Sequence, residues 1–204
     1  MKKIERGKLI VISGPSGAGK STVIGKVMSS RKDSCFSVSV TTRPPRPGEC
    51  EGIDYFFVSR DQFDQMAASG QLLEYASYVG NSYGTPRQYV EERRNLGLNV
   101  ILDIEVQGAA QVKSLDSSAI SIFVVPPDVM ELERRLRGRK TDCEEKIQQR
   151  LRQARVECME AAKYDYIVIN DDPDGAAKEI DAIITAEYCR AADRLEYLTE
   201  VLLK

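Results

Sequence analysis

Four short runs along the chain carry apolar side chains at nearly every position: residues 9–13, 100–104, 120–125 and 166–169. Uninterrupted apolar runs of this length, rich in β-branched residues, predict strands buried on both faces. Between them the apolar positions recur at helical spacing. Residues 22–28 follow the first run, 106–113 the second and 128–137 the third, where Pro126-Pro127 stops the strand and Asp128 offers an N-cap. Residues 143–163 predict one long charged helix with Ile147, Leu151, Ala154 and Cys158 along one side. A last helix is expected from about Asp174 into the C-terminus. Strands separated by helices predict an α/β fold, a central parallel sheet with helices on both faces.

Residues 36 to about 92 break this rhythm. Turn formers crowd residues 43–48 and 80–84, short β-like pieces occupy 36–40, 55–58 and 72–79, and a single helix is expected over 60–68. The pattern predicts an inserted α+β lobe. Residues 138–142 form a second, short basic interruption between two helices. At 204 residues the chain suits one domain with insertions: a core of 1–35, 93–137 and 158–204, a lobe of 36–92 and a lid of 138–157. Near the end, Leu195, Leu198, Val201 and Leu202 form an apolar stripe. It fits a terminal helix docked on its own core, or a dimer contact.

The link between the first strand and its helix adds chemistry to the pattern. Gly14-Pro15-Ser16-Gly17-Ala18-Gly19-Lys20-Ser21, followed by Thr22, has the full spacing of a phosphate-binding P-loop in the strand–loop–helix setting the motif needs. The glycines let successive N–H groups turn inward, and the helix N-terminus adds a positive dipole end. Lys20 can reach the β- and γ-phosphates, and the Ser21 hydroxyl can bind Mg²⁺.

Composition narrows the possibilities further. A net charge of −2 argues against a general basic surface for nucleic acid. No apolar stretch reaches membrane-span length, and no leader is visible at the start of the sequence. Cys35, Cys50, Cys143, Cys158 and Cys189 are odd in number and scattered, as expected of free thiols in a reducing compartment. The chain has no histidine, so catalysis must run on carboxylates, lysine, arginine, hydroxyls and a bound cation.

The lobe carries a second set of chemical residues. Arg43 and Arg46 stand three apart on the proline-stiffened loop Thr41-Thr42-Arg43-Pro44-Pro45-Arg46-Pro47-Gly48. They suit bidentate phosphate binding or a solvated basic turn. Tyr55 and Tyr83 offer hydroxyls to the same phosphate or serve packing. Glu74 lies in the apolar run Leu72-Leu73-Glu74-Tyr75-Ala76, either facing water from an edge strand or reading the two donors on one edge of guanine.

Taken in order, these segments resemble the guanylate kinase family from about Gly7 to Tyr188. The motifs that carry the likeness are 13–21, 39–49, Gly52-Ile53-Asp54-Tyr55, Glu74, Tyr83-Gly84-Thr85, Leu102-Asp103-Ile104-Glu105-Val106-Gln107-Gly108 and Ile169-Asn170-Asp171. The resemblance implies a P-loop kinase with ATP and GMP as small-molecule substrates and Mg²⁺ as cofactor, in the cytoplasm, in purine nucleotide metabolism, as monomer or homodimer, with no nucleic acid or membrane partner. It implies that Ser39, Glu74 and Thr85 hold guanine and that Arg43, Arg46, Tyr55 and Tyr83 hold its phosphate. Asp103 would lie near Mg²⁺, and Glu105 stands where the family commonly has aspartate. Arg135, Arg139 and Arg150 resemble lid arginines that close over ATP, and Asn170 a contact to adenine. The rivals are a non-catalytic interaction module of the same fold and a kinase for another acceptor.

Overall fold

The computed structural model describes residues 6–78, 80–138 and 143–201. The chain opens with β1 (Leu9–Ser13), α1 (Lys20–Ser30) and β2 (Ser34–Phe36). The lobe follows as β3 (Ser39–Thr41), β4 (Tyr55–Phe57), α2 (Arg60–Ala68), β5 (Leu72–Tyr78), β6 (Asn81–Pro86) and α3 (Arg87–Asn95). The core resumes with β7 (Asn99–Asp103), α4 (Val106–Leu115), β8 (Ile120–Val125), α5 (Val129–Gly138) and α6 (Glu144–Met159). A 3₁₀ turn (Glu160–Lys163), β9 (Tyr166–Ile169), α7 (Pro173–Glu187) and α8 (Ala191–Val201) complete it.

The core sheet runs β2-β7-β1-β8-β9, with every neighbouring pair parallel. Its strands bury alternate side chains on opposite faces, as a pleat requires. Ile10, Ile12, Ile122, Val124 and Val168 meet α1 and α7 on one side. Leu9, Val11, Val100 and Leu102 meet Val90, Ala109 and Val112 on the other. Full burial of each such side chain stabilises by roughly 1.5–3 kcal/mol. Helix starts follow local signals: the Asp128 carboxylate accepts the Glu131 N–H at 2.7 Å, and Asp172 accepts from Gly175 N–H at 2.8 Å with Pro173 just inside the helix. A smaller sheet, β4-β3-β6-β5, forms the lobe over Val40, Phe63 and Leu72.

The structure departs from the sequence pattern in five places. Residues 36–40 are not one strand; β2 joins the core sheet and β3 the lobe sheet. The turn-like 80–84 segment is mostly strand β6, and α3 is a helix the pattern missed. The 143–163 helix tightens into a 3₁₀ turn over its last four residues. The final helix breaks after Glu187 and restarts at Ala191, with Tyr188 tied to Asn99 through its hydroxyl at 2.5 Å. Leu195, Leu198 and Val201 are exposed on α8, so this stripe is not docked on the core; Leu202 and Arg139 lie outside the described residues. Among the described residues no helix is long and apolar enough to cross a membrane.

Candidate functional site

The loop after β1 is shaped by close approach. Gly14 has φ 149°, and a Cβ there would stand 2.0 Å from the Val124 carbonyl oxygen. Gly19 caps α1 with φ 88°, and its Cβ would meet Asn170 Nδ2 at 2.4 Å. No other residue type fits either position. The Ala18 carbonyl is held from behind by two donors, Asn170 Nδ2 at 2.7 Å and Arg135 Nη1 at 3.2 Å. Arg135 also donates to the Asn170 carbonyl at 2.9 Å and to Glu131 at 2.6 Å.

These contacts fix where two of the expected nucleotide-binding residues stand. Asn170 is 1 % exposed and donates its amide to the loop backbone, with Oδ1 buried and unpartnered. Arg135 is a brace of the loop and lines neither cavity. Arg150 does reach the loop, donating to Ser16 Oγ at 2.8 Å.

In front of the loop lies a cavity of about 300 Å³ lined by Gly14, Pro15, Ser16, Gly17, Gly19, Lys20, Ser21 and Thr22. Ala18 is fully buried behind it. Thr22 and Val23 N–H close the first turn of α1 onto the Gly19 carbonyl, at 3.1 and 3.2 Å. The Lys20 and Ser21 N–H groups ahead of them have no carbonyl a turn earlier in the helix to bond. Lys20 Nζ donates to the Gly14 carbonyl at 2.6 Å and stands 4.0 Å from Asp103 Oδ1. Asp103 ends β7 beside Ile12 in the register, which sets its carboxylate at the mouth of the loop. Burial raises its pKa, Lys20 opposes that, and Glu105 adds to it.

Glu157 joins this wall from α6, a residue the sequence reading passed over. Burial raises its pKa and the Gln153 amide, donating at 3.1 Å, opposes the rise. Its signal was there: Arg150, Gln153, Glu157 and Glu160 recur at helical spacing, so one side of α6 reaches both the loop and the neighbouring cavity.

That second cavity, of about 800 Å³, is lined by Ser39, Tyr55, Glu74 and Tyr83 from the lobe and shares Asp103, Glu105, Val106 and Glu157 with the first. Glu74 is 6 % exposed and accepts from Thr85 Oγ1 at 2.6 Å. Burial raises its pKa and the Thr85 bond lowers it by less; among the described residues no salt bridge reaches it. A buried carboxylate so placed is short of donors. Thr85 is fully buried and acts on Glu74 from behind.

Arg43 lines neither cavity. A two-pronged pair with Glu49, at 2.8 and 2.9 Å, holds it against the Tyr55 ring, 5.3 Å from the centroid. The Glu49 carboxylate first, then the Tyr83 hydroxyl, raise its pKa. Arg46 is exposed, and its backbone N–H donates to Glu49 at 2.7 Å. Tyr55 and Tyr83 meet edge to face, 6.1 Å between ring centroids.

A family model described as guanylate kinase matches residues 6–187. A guanylate kinase of Streptococcus thermophilus (strain CNRZ 1066) is 53 % identical over 188 residues, 91 % of this chain and 90 % of that protein. One from Streptococcus agalactiae serotype III (strain NEM316) is 51 % identical over 187 residues, 91 % of this chain and 90 % of its own. The crystal structure of guanylate kinase from Anaplasma phagocytophilum superposes with TM-score 0.76 at 34 % identity, covering 98 % of this chain and 96 % of that one. A shikimate kinase from Acinetobacter baumannii, at TM-score 0.50 and 14 % identity over 93 % of this chain and 99 % of its own, shares the fold alone.

Proposed function

The chain belongs to the guanylate kinase family, and from that premise we propose how its residues divide the transfer of a phosphoryl group from ATP to GMP. The products are ADP and GDP. The loop Gly14–Thr22 with Lys20 takes the ATP phosphates, and Glu74 with Ser39 takes guanine, Thr85 holding the carboxylate in place. Tyr55, Tyr83, Arg43 and Arg46 take the GMP phosphate, so Arg43 must exchange its Glu49 partner for phosphate oxygens. dGMP is a second acceptor, since no residue assigned to the base or the phosphate reads the 2′-hydroxyl.

The donor set also suits Mg²⁺. No group of three or more acidic, cysteine or histidine side chains among the described residues forms a metal cage. Mg²⁺ usually takes only one or two protein ligands and fills its shell with phosphate oxygens and water. Ser21 and Asp103, both on the loop cavity, would supply them, with Glu105 beside Asp103. When bound, the cation neutralises charge on the transferring phosphoryl group.

The lack of histidine fits this reaction. The nucleophile is an oxygen of the GMP phosphate, whose second pKa is about 6, so it arrives mostly ionised. No general base is needed, and catalysis rests on positioning and charge neutralisation. Lys20 meets the developing charge, with Arg150 and Arg139 completing the clamp from the lid. We keep the division into core (1–35, 93–137, 158–204), lobe (36–92) and lid (138–157), with lobe and lid closing around both nucleotides. A reducing cytoplasm suits the five free cysteines. The enzyme works there as a monomer or homodimer.

The observation that carries the acceptor assignment is the buried Glu74, with no salt bridge among the described residues, in a cavity that shares a wall with the phosphate-loop cavity. ADP release with GMP, dGMP, AMP, UMP and CMP as acceptors tests it. GMP and dGMP are expected to react and the others to fail by a wide margin. Equal rates with AMP and GMP would remove Glu74 from the recognition set.

A further inference from the structure

β5 is the outer strand of the lobe sheet, and its ladder to β6 slips between Leu72 and Tyr75. Leu72 pairs with Pro86 and Tyr75 with Gly84, so three steps on β5 face two on β6. The extra residue is a bulge, and bulges re-aim side chains at the cost of ladder bonds. Glu74 sits inside it. The strand also changes allegiance here: Leu72 packs into the lobe with Val40 and Phe63, whereas Leu73 packs into the main core with Leu9, Val11 and Val112.

What holds the bulge is α4. The Gln111 side-chain amide accepts the Tyr75 N–H at 3.1 Å and donates to the Tyr75 carbonyl at 3.1 Å. It pairs with one residue of the open strand edge as a neighbouring strand would. One turn earlier on α4, Gly108 leaves room for the carboxylate; a Cβ there would stand 2.7 Å from Glu74 Oε2. Backbone and side chain of the bulge are thus both set by α4, whose start carries Glu105 beside Asp103.

We propose that Gln111 is a positioning residue for base selection: its amide pins the bulged strand edge so that the Glu74 carboxylate meets the guanine donors. This rests on the assignment of Glu74 to guanine. Gln111→Met keeps the length of the side chain and removes both bonds. It is expected to raise the KM for GMP about tenfold, the loss of one to two ordinary hydrogen bonds' worth of alignment. The GMP-over-AMP preference should fall with it, while kcat and the KM for ATP stay within about twofold. Gly108→Ala, which crowds Glu74 from the other side, should shift the same two quantities.

The decisive measurement is a double-mutant cycle with Glu74→Gln. If Gln111 acts through Glu74, Gln111→Met has no further effect on the GMP KM once the carboxylate is gone. Effects that multiply independently, or an unchanged GMP KM in Gln111→Met, would overturn the positioning role and leave the guanine assignment standing. An unchanged GMP KM in Glu74→Gln alone would overturn that assignment and the positioning role with it.

Discussion

Glu74→Gln should make the empty protein more stable and the enzyme far worse, and the two effects have one origin. Burial raises the Glu74 pKa in the folded state, with Thr85 as the only counterweight. Between the unfolded and folded pKa values the native state therefore binds more protons than the unfolded one, so stability falls as pH rises through that window. At neutral pH the ionised carboxylate is a cost to the fold. Glutamine keeps the bond from Thr85 Oγ1, 2.6 Å in the parent, and removes the charge. A gain of about 1 kcal/mol, the low end of the penalty for an under-satisfied buried group, would raise Tm by about 2–4 °C in a chain of this length. The loss on binding is larger. Two charge-assisted bonds to guanine become one neutral bond and one donor facing a donor, roughly 3–5 kcal/mol in total. At about 1.4 kcal/mol per decade, kcat/KM for GMP should fall roughly 10²- to 4 × 10³-fold. Thermal unfolding at pH 7 and steady-state ADP release read the two halves. A lower Tm together with undiminished GMP turnover would refute the reasoning.

Three further outcomes follow from named contacts. Arg135→Ala should raise the KM for ATP and cost about 1–2 kcal/mol of stability, because the Ala18 and Asn170 carbonyls each lose a donor; an unchanged ATP KM would show that the loop does not need this brace. Arg139→Ala should lower kcat at least about 10²-fold, within the range of a catalytic arginine, with little change in GMP KM; an unchanged kcat would take Arg139 out of the catalytic set. For Asp165, burial raises the pKa, but Lys113 at 2.5 Å and the Ser121 N–H and hydroxyl outweigh it and the net shift is downward. Its stability is therefore present above the unfolded pKa and lost as pH falls through the folded one. Asp165→Asn should flatten the acid limb of the unfolding profile, and an acid limb unchanged from the parent would contradict that.

The core strands were legible because they are buried on both faces, so Leu9, Ile10, Val11 and Ile12 are all apolar whichever way they point. α3 was not, since only Val90 and Arg94 of its nine residues are buried. Arg94 earns its place in the interior through the Gly7 carbonyl and Asp116, a partnership no periodicity encodes. β6 read as a turn because Asn81, Ser82 and Gly84 are turn formers. Its pairing is imposed from outside by Thr42, which receives the Ser82 N–H at 2.9 Å, and by the close approach at Gly84, where a Cβ would stand 2.9 Å from the Glu74 carbonyl oxygen. Among the site residues, those with a local motif were readable: the loop, Lys20 and Asp103. Gln111 was not, because its partner Tyr75 lies 36 residues away on another element; Glu157 showed only as one side of a charged helix.

The wall of Asp103, Glu105, Val106 and Glu157 belongs to both cavities at once. With ATP and GMP assigned to the two cavities, a displacement of this wall by one nucleotide would reach the other without a relay. Linkage then makes the effect mutual: the factor by which ATP alters the affinity for GMP equals the factor by which GMP alters the affinity for ATP. Under the proposed assignments, ATP and GMP meet at these four side chains, the place where a coupling between their two affinities would be built.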